Sequence, residues 1–283
     1  MKKTIVTIIA LAGIVHADFV WNGGDTISSP KWSNQDNWTL TNGTTWTVGN
    51  ESGPGMTGSD KWEPIVVSNA SGSIRNFEGW ALNLTLINSQ MIVNELVKFQ
   101  NNTGKGCTLN IDKDSSLIID KYSGAGNDGE SVNVNCDGVL TISYAHNQGG
   151  AGISAVLGTS GMIILNKHRT NLSEGYTAKV LTLEADLLAD ATLGMGEIGT
   201  RTLIELSKYT SMNELSANNI TINAAEGWTR INSAEEATEP GQYYWVSQSE
   251  EGIKLNYVTV PEPTTATLSL LALAGLAARR RRR

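Results

Sequence analysis

Residues 132–142 read Val-Asn-Val-Asn-Cys-Asp-Gly-Val-Leu-Thr-Ile. Two short apolar runs, 132–134 and 139–142, flank the polar segment 135–138. Valine and isoleucine favour extended backbone, whereas Asn, Asp and Gly tolerate the dihedral angles of a tight turn. The segment therefore predicts a strand, a turn and a second strand.

The same unit of run, turn and run recurs on both sides of this segment. Its other copies are 84–87 with 91–93, 109–111 with 117–119, 155–157 with 162–165, and a weaker one from Val180 with Leu187 and Leu188 in its second run. The first runs begin at residues 84, 109, 132, 155 and 180, so they lie 23 or 25 residues apart. We interpret 202–206 and 219–223 as strands of later, degraded units. A period of this length is typical of a stacked repeat protein.

The repeat predicts an all-β fold, a right-handed parallel β-helix (solenoid) with coils of about 23–25 residues. Each coil has two clear strands and a weaker third, and coils stack about 4.8 Å apart around a shared core. The runs 117–119 and 162–165 are apolar throughout, which favours burial on both faces or a tightly curved core. The alternative is an antiparallel β-sandwich, because each unit could equally be a hairpin.

The two cysteines distinguish these architectures. An exported chain with an even number of cysteines is a candidate for a disulfide. In the coiled repeat, Cys107 lies opposite Glu130 and six positions from Cys136, roughly 20 Å in extended chain. Because that distance exceeds disulfide reach, the β-helix predicts no bridge, whereas the hairpin arrangement is compatible with one.

The N-terminus and the charge balance indicate an exported protein. A basic start with Lys2 and Lys3, an apolar run 4–15 and a small residue at Ala17 are the parts of a signal peptide, which we expect signal peptidase to remove after Ala17. Removing those two lysines, the five terminal arginines and Glu262 from the chain's 21 basic and 28 acidic residues leaves a net charge of −13. A domain this acidic repels nucleic acid, so we expect no nucleic-acid partner.

The C-terminus has three parts in order: the triplet Pro261, Glu262 and Pro263, an apolar stretch 264–278, and five arginines. As a helix the apolar stretch covers about 22 Å, short of a roughly 30 Å hydrocarbon core, so it predicts a marginal, transient membrane anchor. The arginines keep their end on the cytoplasmic side, which leaves the rest of the chain across the inner membrane.

This arrangement resembles the PEP-CTERM sorting signal of exported proteins in Gram-negative bacteria. The residues that carry the resemblance are Pro261, Glu262, Pro263, Arg279 and Arg280. The resemblance implies an exosortase, a membrane peptidase that cuts near the motif, as the processing partner. It further implies a final location at the cell surface or outside the cell.

The start of the mature chain is rich in tryptophan. Six of the eight tryptophans precede residue 81. The pattern of Trp21, Trp32 and Trp38 with their flanking Asn and Gly residues resembles the entry segment of autotransporter-like β-helix passengers. Indole rings would close the open end of a stacked core. Alternatively, Trp32 and Trp38 are glycan-binding candidates, because exposed indoles stack on sugar rings.

The sequence thus divides into five segments. These are a signal peptide (1–17), a tryptophan-rich cap with the first coils (18–83), the β-helix repeats (84–233), a capping hairpin (234–259) and the sorting and transmembrane tail (260–283). The hairpin is predicted from the runs 243–246 and 253–258 around a polar turn.

Residues with catalytic potential are few, and no metal-binding or cofactor motif is present, so we expect neither a metal nor a cofactor. Asp112, Asp114 and Asp137 lie in successive turns, and the 23-residue spacing predicts that Asp114 and Asp137 stack on one edge. With Lys113 or Lys121 as base they would suit a polysaccharide lyase or hydrolase. The favoured interpretation is that aspartate serves the turn geometry.

We therefore expect an exported surface or extracellular-matrix protein, a structural or adhesive β-solenoid that is not an enzyme. The alternatives are a polysaccharide-active enzyme using Asp114 and Asp137, and a glycan-binding module using Trp32 and Trp38. Extracellular polysaccharide is the expected partner in both alternatives.

Overall fold

The computed structural model describes residues 19–21, 38–40, 64–74, 77–79, 83–99, 107–123, 132–142, 145–146, 153–165, 180–187, 196–206 and 220–262. Their regular structure is twenty strands and one 3₁₀ turn (Ala234–Glu236). In chain order the strands are β1 (Phe19–Trp21), β2 (Trp38–Leu40), β3 (Pro64–Ser68), β4 (Ser71–Ile74), β5 (Phe77–Gly79), β6 (Asn83–Ile87), β7 (Gln90–Phe99), β8 (Cys107–Ile111), β9 (Ser116–Ser123), β10 (Val132–Cys136), β11 (Val139–Ile142), β12 (Ala145–His146), β13 (Ile153–Leu157), β14 (Met162–Leu165), β15 (Val180–Asp186), β16 (Ile198–Leu206), β17 (Ile220–Asn223), β18 (Trp228–Arg230), β19 (Gly241–Ser249) and β20 (Gly252–Val260).

The strands form two sheets. The first has the order β17-β15-β13-β10-β8-β6-β3-β1-β2, and the second has the order β18-β19-β20-β16-β14-β11-β9-β7-β4, with β12 and β5 pairing beside β9 and β7. From β3 onward the chain visits each sheet in turn, and equivalent strands of successive units pair in parallel up to β17 and β16. The described fold is therefore all-β with parallel sheets, the pairing that a coiled repeat requires and an antiparallel meander lacks.

The core lies between the sheets, and the repeat strands β6, β10, β11, β13 and β14 each contribute one face to it. In β14, Ile163 and Leu165 are buried, whereas Met162 and Ile164 are half-buried on the other face. Burial on both faces is therefore only partial in this run. Strand pairing places Ile92 beside Ile118, and there Ile92 stays 39% exposed whereas Ile118 is half-buried.

The strands occur where the runs predicted them, but the register differs. In the first sheet Leu109 pairs with Val134 and Val134 with Ala155, which gives spacings of 25 and 21 residues. In the second sheet Ser116 pairs with Val139 and Val139 with Met162, which keeps the predicted spacing of 23. Cys107 accordingly lies opposite Val132, not opposite Glu130. Turn length accounts for part of the variation in the first sheet, because four residues separate β8 from β9 but only two separate β10 from β11.

Two further expectations can be compared with this register. Cys136 is a free, buried thiol, and in the strand pairing Cys107 lies opposite Val132 rather than opposite Cys136. The weaker copy at Val180 differs from the prediction: Leu187 directly follows β15 and is buried, and the next strand of the second sheet among the described residues is β16.

A column of small buried residues marks the turn between the two sheets. Each member directly precedes a strand of the second sheet; the members are Ala70, Ser89, Ser115, Gly138 and Gly161. Successive units bond here through main chain, because each strand's first N–H donates to the column residue of the preceding unit at 2.9–3.1 Å. We call these residues the small-residue column.

The side chains of the small-residue column must be small because the backbones of successive units approach each other closely there. A Cβ atom added to Gly138 would lie 2.1 Å from the carbonyl oxygen of Ser115, and one added to Gly161 would lie 1.9 Å from that of Cys136. Both distances are well inside van der Waals contact. The hydroxyls of the column serines fit because they bond: Ser89 Oγ donates to the Ile87 carbonyl at 2.8 Å.

We expect Gly161→Ala to lower the free energy of unfolding by about 1–3 kcal/mol, because the new methyl group must push two backbones apart. Ser160→Ala in the same turn is the matched control, since Ser160 is exposed. Urea denaturation followed by circular dichroism measures both. Equal stability of the two variants would contradict the packing assigned to the column.

Arg201 of β16 ends this stack of turns. Its guanidinium donates to the carbonyl oxygens of Asp186 and Gly161, each at 2.7 Å, and to that of Gly158. In earlier units the column carbonyl accepts a backbone N–H from the next unit, and at Gly161 a side chain takes that place. Burial lowers the pKa of Arg201, and the carboxylates of Asp186 and Asp137 oppose that shift.

Arg201→Met should reduce the free energy of unfolding by about 1.5–3 kcal/mol, since it leaves part-buried carbonyls without their charged donor. Arg201→Lys should recover little of this loss, because a single ammonium cannot span three carbonyls as a planar guanidinium does. Lys254→Met, which removes an exposed ion pair with Glu251, is the control. If Arg201→Met and Lys254→Met unfold at the same urea concentration, the assigned role of Arg201 is wrong.

Candidate functional site

The last strand of the described fold, β20, is an interior strand of the second sheet. It pairs antiparallel with β16 on one side and with β19 on the other. Pairing with β19 extends over the whole strand, from Gly252 opposite Ser249 to Val260 opposite Gly241. The chain therefore approaches its C-terminal tail through backbone that is hydrogen-bonded on both sides.

Local sequence explains this hairpin. Gly252 opens β20 with φ of +133°, which side-chain-bearing residues avoid, and a Cβ atom there would lie 2.0 Å from the Ile204 carbonyl oxygen. Tyr244 and Leu255 join the common core. Trp228 packs edge-on against Tyr257, with ring centroids 6.2 Å apart.

Polar contacts complete the attachment of β20. Asn256 is buried, and its amide is satisfied at both ends: it donates to Ser247 Oγ at 2.9 Å and accepts from Thr200 Oγ1 at 3.1 Å. Near the end of the strand, the Gly196 N–H donates to the Thr259 carbonyl at 3.2 Å. The strand is held through its last two residues.

The polypeptide leaves the sheet immediately after this point. Val260 still pairs with Gly241, Pro261 is half-buried, and Glu262 is exposed. The sorting triplet thus begins within one residue of the folded domain. Pro263, Arg279, Arg280 and the stretch 264–278 lie outside the described residues, as does the signal peptide 1–17.

In the described part of the chain, no helix is long and apolar enough to cross a bilayer. The transmembrane segment predicted at 264–278 lies outside those residues.

Strand pairing in the first sheet places Asp112, and not Asp114, in the position equivalent to Asp137. Cys136 pairs with Ile111, so Asp137 occupies the position that follows β10 as Asp112 follows β8. Asp114 lies two residues further on in an exposed turn, with its carboxylate 3.8 Å from Lys113 Nζ. The two-residue difference again comes from the longer turn between β8 and β9.

Asp112 has the contacts of a turn-forming aspartate. Its carboxylate accepts the backbone N–H groups of Asn88 (3.1 Å) and Asp114 (3.2 Å) and the hydroxyl of Ser115 (2.5 Å). Asp137 likewise accepts the Ser160 N–H at 3.3 Å. No cluster of three or more metal-ligating side chains occurs among the residues that the structure describes, and the Lys121 side chain lies outside them.

Cys136 is unsuited to nucleophilic chemistry. Burial raises the pKa of its thiol to about 11, so the thiol stays protonated at neutral pH. Its Sγ lies 3.2 Å from the Gly138 carbonyl oxygen, inside the core. We assign it a packing role.

The tryptophan candidates are only partly within the described residues. Trp38 pairs directly with Trp21 across β1 and β2 at the edge of the first sheet. Trp32 lies outside the described residues. Glycan binding by either tryptophan therefore stays a prediction.

Sequence reasoning missed two features. The small-residue column could have been found, because Ser89, Ser115, Gly138 and Gly161 all stand directly before the second run of a unit. Arg201 carries no such signal, since it only precedes the apolar run 202–206 and its partners are remote in sequence.

Comparison with known proteins bears on the junction after β20. Residues 259–283 match the family model of the PEP-CTERM protein-sorting motif, which confirms the resemblance of this segment. Searches of curated proteins and of solved structures found no match, and the autotransporter-like resemblance stays a prediction. The chain is therefore an exported protein that carries a C-terminal PEP-CTERM sorting tail, with an exosortase as its processing partner.

Proposed function

We propose that this protein is a structural or adhesive component of the cell surface or extracellular matrix, without catalytic activity. The folded domain is a right-handed parallel β-helix that an exosortase separates from its tail. The tail anchors the chain in the inner membrane through 264–278 until it is cut.

The observation that carries this proposal is the position of the sorting motif relative to the fold. The matched segment starts at Thr259, and the last sheet pairing ends at Val260. The domain is therefore complete where the tail begins. A cut after Val260 leaves every described strand and its partners in place.

The β-helix assignment is supported by the alternation between two sheets. Parallel pairs connect each unit to the next from β3 through β17 in one sheet and from β4 through β16 in the other. Buried residues of both sheets belong to one cluster. Stacked units that share a core in this way are what solenoid proteins use to build extended surfaces.

The absence of catalysis is proposed from the occupation of the turn acids. The Asp112 carboxylate already accepts hydrogen bonds from three donors, two in its own turn and one in the neighbouring unit. Asp137 bonds the backbone of the next unit. An acid that is fixed as a structural acceptor is a poor general base.

One observation favours glycan binding as a second function. On the outer face of the first sheet, Asn110 donates to Thr85 Oγ1 at 3.1 Å, and Asn135 donates to Asn110 Oδ1 at 2.8 Å. This ladder of neutral amides and hydroxyls leaves Asn133 and Asn135 exposed. Such groups donate to and accept from sugar hydroxyls without charge.

Loss of the exosortase should retain the protein in the membrane fraction and deplete it from the surface or medium, because the uncut tail keeps its anchor. Replacing Arg279 and Arg280 together with the other terminal arginines by glutamine should misdirect the tail. Fractionation with immunoblotting of the tagged chain measures both. As a control, Asp114→Asn changes one exposed turn residue and should localise normally; normal localisation without the exosortase would contradict the proposed route.

Incubation of the mature domain with a panel of polysaccharides should yield no shortened products by size-exclusion chromatography. If glycan binding occurs, tryptophan fluorescence should change on addition of the sugar, and Trp32→Ala, Trp38→Ala or Asn135→Ala should weaken the response and locate the site. Depolymerisation that disappears in Asp114→Ala or Asp137→Ala would instead establish the enzyme hypothesis.

A further inference from the structure

We infer that the outer face of the first sheet binds an extended, neutral polysaccharide, whose chain runs across strands β6, β8, β10 and β13. This inference rests on the proposed glycan binding, and it adds the class of polysaccharide, the surface that holds it and the direction of the chain. The outward side chains of these four neighbouring strands form what we call the neutral face. Its members are Asn83, Thr85, Thr108, Asn110, Asn133, Asn135, Ser154 and Val156.

The neutral face is a regular array of two rows. Strand pairing places Asn83, Thr108, Asn133 and Ser154 side by side in the first row, and Thr85, Asn110, Asn135 and Val156 side by side in the second row. Neighbours within a row lie about 4.8 Å apart, so four strands give a platform about 14 Å long. Similar polar groups therefore recur along each row at a spacing close to the length of one sugar residue in an extended β-linked chain.

The neutral face carries no ionisable side chain, although the mature chain has a net charge of −13. The second row continues with Glu184 beyond Val156, and with the buried Val66 on the other side of Thr85, so the neutral polar chemistry ends there. An acidic domain repels polysaccharides that carry carboxylates or sulfates. The hydroxyls of a neutral chain donate to and accept from amides and hydroxyls without needing a counter-charge. The composition of this face therefore favours a neutral chain.

The first row offers its polar groups to a ligand. Within the described part of the chain, no hydrogen bond is formed by the side chain of any first-row member. Asn133 is exposed, and the other three members are half-buried. Amides and hydroxyls at a wet surface exchange water for a sugar hydroxyl with little loss of hydrogen bonding. The first row can therefore supply new hydrogen bonds without breaking any that hold the fold together.

The second row holds its amides in one orientation. Asn135 Nδ2 donates to Asn110 Oδ1 at 2.8 Å, and Asn110 Nδ2 donates to Thr85 Oγ1 at 3.1 Å. Both donors point toward the same end of the row, so the series of bonds stops at the Asn135 carbonyl oxygen, beside the apolar Val156. Side chains that are already ordered lose less conformational entropy when a ligand binds. The second row is therefore a pre-ordered support for a chain that lies along it.

Stacking of the units does not by itself account for these amides. In the second sheet, the corresponding outward row consists of Ile92, Ile118, Thr141 and Ile164. Units pair in parallel there without any amide on the outer face. A protein partner would in turn need apolar or aromatic anchors, and Val156 is the single apolar member of the neutral face. A polysaccharide fits this composition better than either alternative.

The test is affinity electrophoresis of the purified full chain in non-ionic detergent, in native gels that contain hydroxyethylcellulose or carboxymethylcellulose. The two polymers share a β-linked glucan backbone and differ in charge. We expect hydroxyethylcellulose to slow the protein relative to a non-binding reference protein, and carboxymethylcellulose to leave its relative mobility unchanged.

Two results would overturn the inference. Retardation by carboxymethylcellulose that equals or exceeds retardation by hydroxyethylcellulose would contradict a neutral ligand and leave the proposed glycan binding intact. Unchanged mobility in both gels would show that the neutral face does not bind such a chain, whereas the fluorescence response to the wider polysaccharide panel tests the proposed glycan binding separately.

Thr108→Val and Asn133→Ala locate the binding surface. Each variant removes polar groups of the first row, and each should weaken retardation by hydroxyethylcellulose about fivefold. Thr141→Val is the matched control, because Thr141 points outward from the second sheet, and its retardation should equal that of the unmodified protein. Retardation that persists in Thr108→Val and Asn133→Ala but is lost in Trp38→Ala would place the site at the tryptophans and overturn the inference.

Urea denaturation separates loss of binding from loss of structure. Thr108 and Asn133 form no side-chain hydrogen bond within the described residues, so both variants should unfold at the same urea concentration as the unmodified protein. If either variant is less stable, Ser154→Ala replaces it, because that change deletes one hydroxyl from the same row. Normal retardation of a stable Ser154→Ala variant together with normal retardation of the remaining stable variant would also overturn the inference.

Discussion

The close approach of backbones at the turn between the two sheets is the constraint on which the rest of the structure depends. At the small-residue column, each unit accepts an N–H from the next, and a Cβ at Gly161 would already lie 1.9 Å from a neighbouring carbonyl. Unit length is free elsewhere: the pairing of Ile65 with Leu84 spans 19 residues, whereas that of Ala155 with Leu183 spans 28. Loops of any such length are tolerated, because loop-closure entropy grows slowly with length. The column therefore fixes the stacking, and the loops absorb the variation.

This constraint explains which part of the fold could be predicted from the sequence. Runs rich in Val, Leu and Ile located the strands, since local composition decides extended backbone. The predicted register of the first sheet was off by two residues because the start of an apolar run does not mark an inward-facing position. Val132 and Val134 are both buried, and only the pairing shows that Leu109 belongs beside Val134. Aligning the units on Ser115 and Gly138 would have given the observed register of the second sheet, because turn sterics allow no slip there.

Only part of the candidate site at the end of β20 could be predicted from the sequence. The sorting triplet could be recognised because its residues are contiguous and chemically distinctive. The contacts that hold the strand before it could not, since Thr259 meets Gly196 and Asn256 meets Thr200 only after distant segments pair. The same limit applies to the acids: spacing suggested Asp114 beside Asp137, whereas a turn two residues longer puts Asp112 in the equivalent place.

The order of the strands in the second sheet determines how sharply the paired backbone ends before the tail. The last strand among the described residues, β20, is inserted between β16 and β19, and the edge is taken by β18, which comes earlier in the chain. A terminal strand at an edge would fray, and fraying would extend the exposed segment next to the tail backward into the domain. An interior terminal strand ends the exposed segment sharply at Val260. Because no sheet hydrogen bond of the described strands involves residues beyond Val260, a chain that ends after Val260 keeps every sheet hydrogen bond of the described domain.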